Sequence, residues 1–199
     1  MINHAHKSII FIKNLIKRHE RKNQWRRKTR FENKWSRRSI EASKYLQPGE
    51  KIYEFGCGPF MPIKAIALAN GFDWSGFDLR SWDASVQKLD LESEFDLTRL
   101  SGFDEADVFV FMGVIEYIKN FERVIQHFPT SLNKVVCSYC SIESGYPISQ
   151  RRELGWVNDF SFNSLIALYS EYGYELVSNE FYNEETFFKQ YIFVFNKIN

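Results

Sequence analysis

Two glycines one residue apart, Gly56 and Gly58, interrupt the chain directly after a run of β-favouring residues at 51–55. Glycine lets a backbone approach a ligand closely, and the helix after such a turn presents free N–H groups to an anionic or carbonyl-bearing group. Asp78 follows Gly56 by 22 residues, at the end of the next β-rich run. A carboxylate at that place can accept hydrogen bonds from ribose hydroxyls. The spacing predicts a site for a nucleotide-like ligand.

The identity of that ligand is narrowed by the residues around the glycines. A dinucleotide-binding fingerprint requires Gly or Ala where Met61 stands, so an NAD or FAD site is disfavoured. The segment from Glu54 to Gly58 instead resembles the first motif of the class I S-adenosylmethionine-dependent methyltransferases, in which an acidic residue precedes the glycines. Further segments resemble that family in the same order over residues 40–196: the end of the second strand at 76–79, the adenine loop at 88–91, and the fourth strand with its turn at 107–118. Phe60 departs from the pattern, since the family commonly has a third glycine there.

The resemblance implies both a fold and a cofactor. The fold would be α/β and Rossmann-like, doubly wound, with a mostly parallel seven-stranded sheet, a C-terminal antiparallel hairpin and helices on both faces. The cofactor would be S-adenosyl-L-methionine, and the reaction methyl transfer to an oxygen or nitrogen of a small-molecule or carrier-linked acceptor. The implied cofactor-binding residues are Glu54, Gly56 and Gly58 at the methionine end, Asp78 with Leu79 at the ribose, Asp90 with Leu91 at the adenine, and Met112, Gly113 and Val114 beside the ring.

Candidate catalytic residues follow the fourth and fifth predicted strands. Transfer from a sulfonium is a direct displacement, so a base is needed only if the acceptor must lose a proton. Glu116 and Tyr139 are the catalytic candidates, because the carboxyl ends of these strands face the ligand edge. An equally good interpretation of Glu116 is a carboxylate at the start of a helix, where the helix dipole stabilises it. The alternative interpretation of Tyr139 is a packing residue at the end of its strand.

Acceptor recognition is predicted in the long irregular segment 141–159 and beside Glu116, because loops of this length commonly carry function. Adjacent arginines can grip a phosphate or carboxylate, although solvated surface charge is the simpler interpretation of each one. The predicted substrate-binding residues are Tyr117, Tyr146, Arg151, Arg152 and Trp156.

Metal chemistry and secretion are both disfavoured. Three cysteines give no disulfide framework, and Cys137 and Cys140 lack a second ligand pair for zinc. We therefore expect no metal and a cytoplasmic protein. The longest apolar run, residues 108–115, is eight residues and too short to span a bilayer, which takes roughly 20.

The charge is divided unequally along the chain. Residues 1–40 hold 13 Lys and Arg against 2 Asp and Glu, a net charge of +11, whereas residues 41–199 have a net charge of −10. We therefore predict a basic helical arm at 1–40 and the methyltransferase domain at 41–199. The arm suits an anionic partner, either the inner membrane face or RNA, or it packs back as a lid or against another subunit. An RNA-directed enzyme and a catalytically silent binding subunit are the alternative functions.

The elements that position these residues alternate between short β-rich and longer helical runs, which is typical of a parallel sheet covered by helices. The predicted strands span 51–55, 74–77, 106–112, 134–139, 174–182 and 187–196, and the predicted helices 33–46, 61–70, 120–128 and 161–172. The last two strands have no room for a helix between them, so they must form an antiparallel hairpin.

Overall fold

The structure is a computed structural model that describes residues 25–31, 35–93, 96–183 and 189–198. Most of the arm predicted at 1–40 therefore lies outside the described residues. Within its described part, Lys28–Arg30 forms a single 3-10 turn and Phe31 is extended, with φ −90° and ψ 135°, whereas Ser36–Ala42 is helical within the stretch predicted at 33–46. The aromatic side chains of Trp25 and Phe31 pack onto the domain, against Tyr117 and Trp82 respectively.

A seven-stranded sheet forms the centre of the molecule, in the order β3-β2-β1-β4-β5-β7-β6. Strands β1 to β5 are parallel, and β7 runs antiparallel to both β5 and β6. This arrangement confirms the predicted Rossmann-like fold and its antiparallel hairpin. The strands are β1 (Lys51–Phe55), β2 (Asp73–Asp78), β3 (Val86–Lys88), β4 (Val108–Met112), β5 (Lys134–Tyr139), β6 (Tyr174–Asn183) and β7 (Lys189–Lys197).

Five α-helices are present in the described residues, joined by short 3-10 turns. They are α1 (Ser36–Ala42), α2 (Pro62–Asn70), α3 (Phe121–Ile125), α4 (Ile148–Glu153) and α5 (Phe162–Glu171). Helix α5 begins at Ser161, whose side chain accepts a hydrogen bond from the Ser164 N–H in the usual N-cap arrangement. Helix α2 ends at Gly71, which adopts φ +74°, a left-handed conformation that glycine tolerates best.

The core is divided by the sheet, since successive side chains of a strand point to opposite faces. On one face Phe55, Phe109 and Phe111 belong to a large aromatic cluster, with ring centroids of Phe55 and Phe111 4.9 Å apart. On the other face Val108 and Val110 join an aliphatic cluster that includes Ala42 and Leu46 of the α1 region. Burial on both faces fixes β1 and β4 at the centre of the sheet, and their carboxyl ends at one edge.

Two parts of the structure differ from the predicted elements. Strand β3 is only three residues long with two exposed residues, so its hydrophobic pattern is too short to detect. The segment 141–159, predicted to be irregular, contains a 3-10 turn at Ile142–Ser144 and helix α4. The buried Arg151 is a residue of this helix. Within the described residues, no helix has the length and apolar character needed to cross a bilayer.

Candidate active site

The turn between β1 and α2 forms the floor of the site. Gly56 and Gly58 adopt φ values of +71° and +63°, and the Gly56 N–H donates to the Phe77 carbonyl of β2 over 2.7 Å. A Cβ on Gly56 would lie 2.9 Å from Cγ2 of Val114, closer than real Cβ contacts allow. Met61 is left-handed as well, with φ +42°, directly before Pro62 begins α2. Sequence and packing therefore both require glycine at position 56.

Two carboxylates flank this turn, one on each neighbouring strand. Asp78, at the end of β2, is 8% exposed and accepts the Gly58 N–H over 2.9 Å. Burial raises its pKa, and the N–H donors oppose that shift. Glu54, on β1, is 1% exposed and accepts the Trp74 indole N–H over 2.9 Å. Burial raises the pKa of Glu54 to about 8, so this group exchanges its proton near neutral pH.

The turn after β4 closes the opposite side of the site. Met112 is buried, and Gly113 has φ +67°. Arg38 of α1 donates from Nη2 to the Met112 carbonyl over 3.2 Å, and a Cβ on Gly113 would lie 2.5 Å from this nitrogen. The Nε of Arg38 is buried and has no hydrogen-bond partner in the described part of the chain. A guanidinium with an unused donor therefore lies beside the glycine turn.

The remaining predicted cofactor residues lie along the β2 and β3 side. Asp90 is half-buried and accepts the Glu92 N–H at Oδ1 over 3.1 Å. Leu91 belongs to the aromatic core cluster, whereas Leu79 is half-buried beside Asp78. Asp90 and Leu91 follow β3, which pairs with β2, and the Leu89 N–H donates to the Asp78 carbonyl over 2.7 Å.

A cavity of about 40 Å³ lies over the glycine turn. It is lined by Glu54, Gly56, Gly58, Met112 and Arg38, together with Phe31 and Trp35 from the N-terminal part of the chain. The chemistry of this lining suits the amino-acid end of S-adenosylmethionine, because it combines a backbone cradle with the Glu54 carboxyl group and the Arg38 guanidinium, whose Nε has no partner among the described residues. The volume is far smaller than the roughly 300–1,000 Å³ typical of ligand pockets.

Glu116 lies past the β4 turn and is 2% exposed. Its Oε1 accepts the Cys140 N–H over 2.9 Å, and its Oε2 is buried without a hydrogen-bond partner among the described residues. Burial raises the pKa of Glu116, and the guanidinium groups of Arg38 and Arg151 oppose that shift. One oxygen of this buried carboxyl group is thus without a hydrogen bond in the described structure.

Tyr139 is fully buried in a hydrogen-bond network. Its hydroxyl donates to Asn158 Oδ1 over 2.6 Å and accepts from Arg151 Nη2 over 3.0 Å and from the Phe160 N–H over 2.9 Å. Asn158 in turn donates to the Ile115 carbonyl over 2.7 Å. The hydroxyl therefore ties the β5 loop to the turn that carries Glu116.

The two adjacent arginines both contact Asp159. Arg151 is fully buried, donating from Nε to Asp159 over 2.8 Å and from Nη1 to the Cys140 carbonyl over 2.8 Å. Arg152 forms an ion pair with Asp159 and donates to the Trp156 carbonyl over 3.0 Å. The guanidinium groups stabilise the loop, and of the two only the Arg152 side chain, 40% exposed, reaches solvent.

An aromatic wall stands beside Glu116. The Trp156 indole donates to the Tyr117 hydroxyl over 3.2 Å, and the Tyr146 ring packs on Trp156 at a centroid distance of 5.4 Å. Trp25, from the N-terminal part of the chain, packs on Tyr117 at 5.0 Å. The structure thus brings together three of the predicted acceptor residues.

Three residues of this edge are absent from the sequence-based site: Arg38, Trp74 and Asn158. Trp74 is placed by Gly76, because a Cβ at that position would lie 2.2 Å from the indole. Nothing in the spacing of these three residues distinguishes them from ordinary helix, strand and loop positions. Among the described residues, no three His, Cys, Asp or Glu side chains are grouped as a metal site would require.

Solved structures with the same fold are widespread. A chain of the complex between the Haloferax volcanii Trm112 methyltransferase activator and a methyltransferase has a TM-score of 0.70 at 11% identity, covering 86% of this chain and 94% of that one. The 1,6-didemethyltoxoflavin-N1-methyltransferase of Burkholderia thailandensis was solved with S-adenosylhomocysteine. Its TM-score is 0.64 at 14% identity, and the match covers 98% of this chain and 90% of that one. The magnesium protoporphyrin IX methyltransferase of Synechocystis PCC 6803 was also solved with S-adenosylhomocysteine. Its TM-score is 0.56 at 12% identity, and the match covers 80% of this chain and 79% of that one. A comparison with curated proteins finds no significant match.

The fold and the glycine edge together define a Rossmann-like domain of the methyltransferase class. The family model of the methyltransferase domain matches residues 19–179, most of the chain, so the protein belongs to the methyltransferase domain family. This membership confirms the resemblance drawn from the sequence motifs, and with it methyl transfer as the class of activity and S-adenosylmethionine as the cofactor.

Proposed function

We propose that the protein transfers a methyl group from S-adenosylmethionine to an oxygen or nitrogen of a small or carrier-linked acceptor. The observation that carries this proposal is the meeting of three elements at one edge of the sheet. They are the glycine turn after β1, Asp78 at the end of β2, and the Met112 to Val114 turn after β4. Ligands of open α/β sheets bind at this edge.

Different groups of the protein would hold the two ends of the cofactor, its ribose and its amino acid. We assign Asp78 to the ribose hydroxyls, because a carboxylate at the end of this strand can accept hydrogen bonds from them. At the other end Arg38 suits a carboxylate, because its Nε donor has no partner within the described ranges, while Glu54 suits an ammonium group. When bound, S-adenosylmethionine supplies a methyl group activated by its positive sulfur.

The chain's own contribution to the reaction is alignment, exclusion of water and removal of one proton. Glu116 is our candidate base, because burial raises its pKa and its Oε2 has no hydrogen-bond partner in the described residues. Tyr139 acts through Asn158 to hold the turn that carries Glu116, so we assign it a positioning role. Tyr117 and Trp156 form an apolar wall for the acceptor.

Calorimetry with S-adenosylhomocysteine tests this assignment. The wild type should bind, and Asp78→Ala should bind at least about tenfold more weakly, since a hydrogen bond to a charged group contributes about 1.5–3 kcal/mol. Asp104→Ala, which removes an exposed carboxylate far from the glycine turn, should bind like the wild type. Absence of binding by the wild type, or equal binding by Asp78→Ala, contradicts the assignment.

The acceptor class is tested with radiolabelled donor and fractionated cell extract. We expect label in a small-molecule or carrier-protein fraction, and Glu116→Gln should lower its rate of incorporation at unchanged cofactor affinity. Label in RNA would identify the RNA-directed alternative. Cofactor binding without label in any fraction would favour a silent binding subunit.

A further inference from the structure

The N-terminal segment, defined here as Trp25 to Phe31, lies across the opening of the cofactor cleft. The Phe31 ring faces the glycine turn, and a Cβ on Gly58 would lie 3.1 Å and 3.3 Å from two of its carbons. Glycine in this turn serves to let a ligand approach the backbone. The face of Gly58 that would receive a ligand is therefore covered by a side chain of the same protein.

Contacts at both ends fix the N-terminal segment over the cleft. At the β2 end, Phe31 packs edge-on against Trp82 at a centroid distance of 5.4 Å, and Arg80 donates to the Arg26 carbonyl over 2.9 Å. At the β4 end, Trp25 packs edge-on against Tyr117 at 5.0 Å. The segment thus bridges the predicted ribose end of the cleft and the predicted acceptor wall.

The space left beneath the segment does not admit a cofactor. The cavity measures about 40 Å³, and Phe31 and Trp35 form part of its wall. A ligand of this size class occupies a pocket of roughly 300–1,000 Å³. Glu54 and Met112 are buried residues of β1 and β4, so they are held in place by the sheet. Phe31, by contrast, belongs to none of the strands and contributes to the wall from outside the sheet.

The closed arrangement also leaves polar groups without hydrogen bonds. The indole Nε1 of Trp35 and the Nε of Arg38 are buried and have no partner among the described residues. A buried donor without a partner is unfavourable relative to one exposed to water or bound to a ligand. The contacts that hold the segment include three edge-on aromatic pairs, Trp25 with Tyr117 and Phe31 with Trp35 and Trp82, and each such pair is individually weak. These features are typical of an arrangement that a ligand can displace.

We propose that the N-terminal segment is an internal competitor of the cofactor, which occupies the cleft in the cofactor-free protein and is displaced when S-adenosylmethionine binds. The inference rests on the proposed function, since it concerns the same cleft. It differs from the lid predicted from the sequence in one physical respect. A lid closes on a bound ligand and becomes better protected, whereas a competitor leaves and becomes less protected.

The affinity for S-adenosylhomocysteine measures the competition. The apparent dissociation constant equals the intrinsic one divided by the fraction of molecules that are open. If the segment is closed in about nine molecules of ten or more, Phe31→Ala should bind at least about tenfold more tightly than the wild type. Phe181→Ala, which removes a 50% exposed phenylalanine on β6, is the matched control and should bind like the wild type. Thermal melts establish that both variants are folded.

Hydrogen exchange with mass spectrometry supplies the second readout. On addition of S-adenosylhomocysteine, peptides covering 25–31 should exchange faster and those covering 56–58 more slowly. Slower exchange in both places would mean that the segment closes on the ligand, and it would overturn the competitor, as would weaker binding by Phe31→Ala. If neither the wild type nor Phe31→Ala binds, the proposed function itself fails, which separates the two results.

Discussion

Three buried carboxyl groups, Glu54, Asp78 and Glu116, lie at one edge of the sheet, each 8% exposed or less. Burial raises the pKa of each, because a charged carboxylate loses its hydration in the interior. Each accepts an N–H, from Trp74, Gly58 and Cys140 respectively, which partly compensates that loss. Burial of this kind is destabilising in itself and is characteristic of sites that bind charged ligands.

The folding stability should depend on pH through Glu54. Its pKa rises from 4.5 in the unfolded chain to about 8 in the folded protein, so the folded state holds the extra proton between these values. The contribution of Glu54 to folding stability is therefore greatest below about pH 4.5 and is lost as the pH rises through about 8. We expect Glu54→Gln to be more stable than the wild type by on the order of 2–4 kcal/mol at pH 9 and nearly equal to it at pH 5. Urea denaturation at the two pH values measures this difference.

The exposed Glu105 provides the control for this measurement, because its pKa is lowered, chiefly by the Lys51 hydrogen bond. Glu105→Gln should not gain stability at high pH. An equal change for Glu54→Gln at both pH values would contradict the assignment of the buried proton to Glu54.

Arg38 should determine affinity for the amino-acid end of the cofactor. Its guanidinium lies beside the glycine turn with a buried, unpartnered Nε in the described structure. We expect Arg38→Leu to bind S-adenosylhomocysteine about 10- to 100-fold more weakly, as the loss of a charge-assisted hydrogen bond predicts. Binding of 5′-methylthioadenosine, which lacks the carboxylate, should be unchanged. Calorimetry with both ligands makes the comparison.

The neighbouring Arg37 is exposed, and Arg37→Leu serves as the matched control. If Arg38→Leu loses affinity equally for the two ligands, Arg38 supports the fold of the cleft and does not recognise the carboxylate.

At the level of the elements, the site depends on how closely two turns approach each other. The turn after β1 and the turn after β4 meet at Gly56 and Val114, and β1 pairs directly with β4 from Ile52 to Phe55. Adjacent parallel strands end at the same height, so their loops must pack side by side. Glycine at position 56 is what permits this packing.

Gly56→Ala should therefore destabilise the protein more than an ordinary left-handed glycine does. The added Cβ would lie 2.9 Å from Cγ2 and 3.0 Å from Cβ of Val114, and a Cβ cannot move without the backbone. Gly49 is the control, because its φ of +88° is similar and nothing lies within 4 Å of the Cβ position. We expect Gly49→Ala to lose about 1–2 kcal/mol and Gly56→Ala roughly a further 1–3 kcal/mol, measured by urea denaturation. Equal losses would contradict the close packing of the turns.

For the whole molecule, the unequal charge distribution should determine its long-range interactions. The net charge of +11 on residues 1–40 is separated in sequence from −10 on the remainder. Dense positive charge binds polyanions with an affinity that falls steeply with salt, because counterions are released. The same physics applies to RNA and to an anionic lipid surface.

The chain should accordingly bind heparin at low salt and release it as the salt concentration rises. Reversing Lys13, Lys17, Arg18 and Arg21 to Glu should abolish most of this binding, measured by elution from a heparin column. Reversing the exposed Lys88 and Lys119 of the domain should change elution little. Equal effects of the two sets would show that the charge of the arm has no special role.

The sequence alone determined the class of fold, and the physical reason is local. Strands such as Lys51–Phe55 and Lys134–Tyr139 are buried on both faces and read as continuous β-rich runs, while a glycine turn marks the ligand edge. Such patterns depend on neighbours along the chain, so β1 and β5 were predicted with their observed bounds. Strand β3 is too short to have such a pattern, so the sequence does not predict it.

Only the tertiary structure decided which side chains share the cleft. Arg38, 74 residues from Met112 in sequence, donates to its carbonyl, and Phe31 lies on Gly58. These contacts arise because the polypeptide before β1 folds back over the sheet edge, and no local periodicity specifies that path. Burial of Arg151 against Asp159 is of the same kind, since an arginine in a loop does not by itself predict a fully buried guanidinium. Spacing thus determined the backbone cradle, and long-range packing determined which side chains fill it.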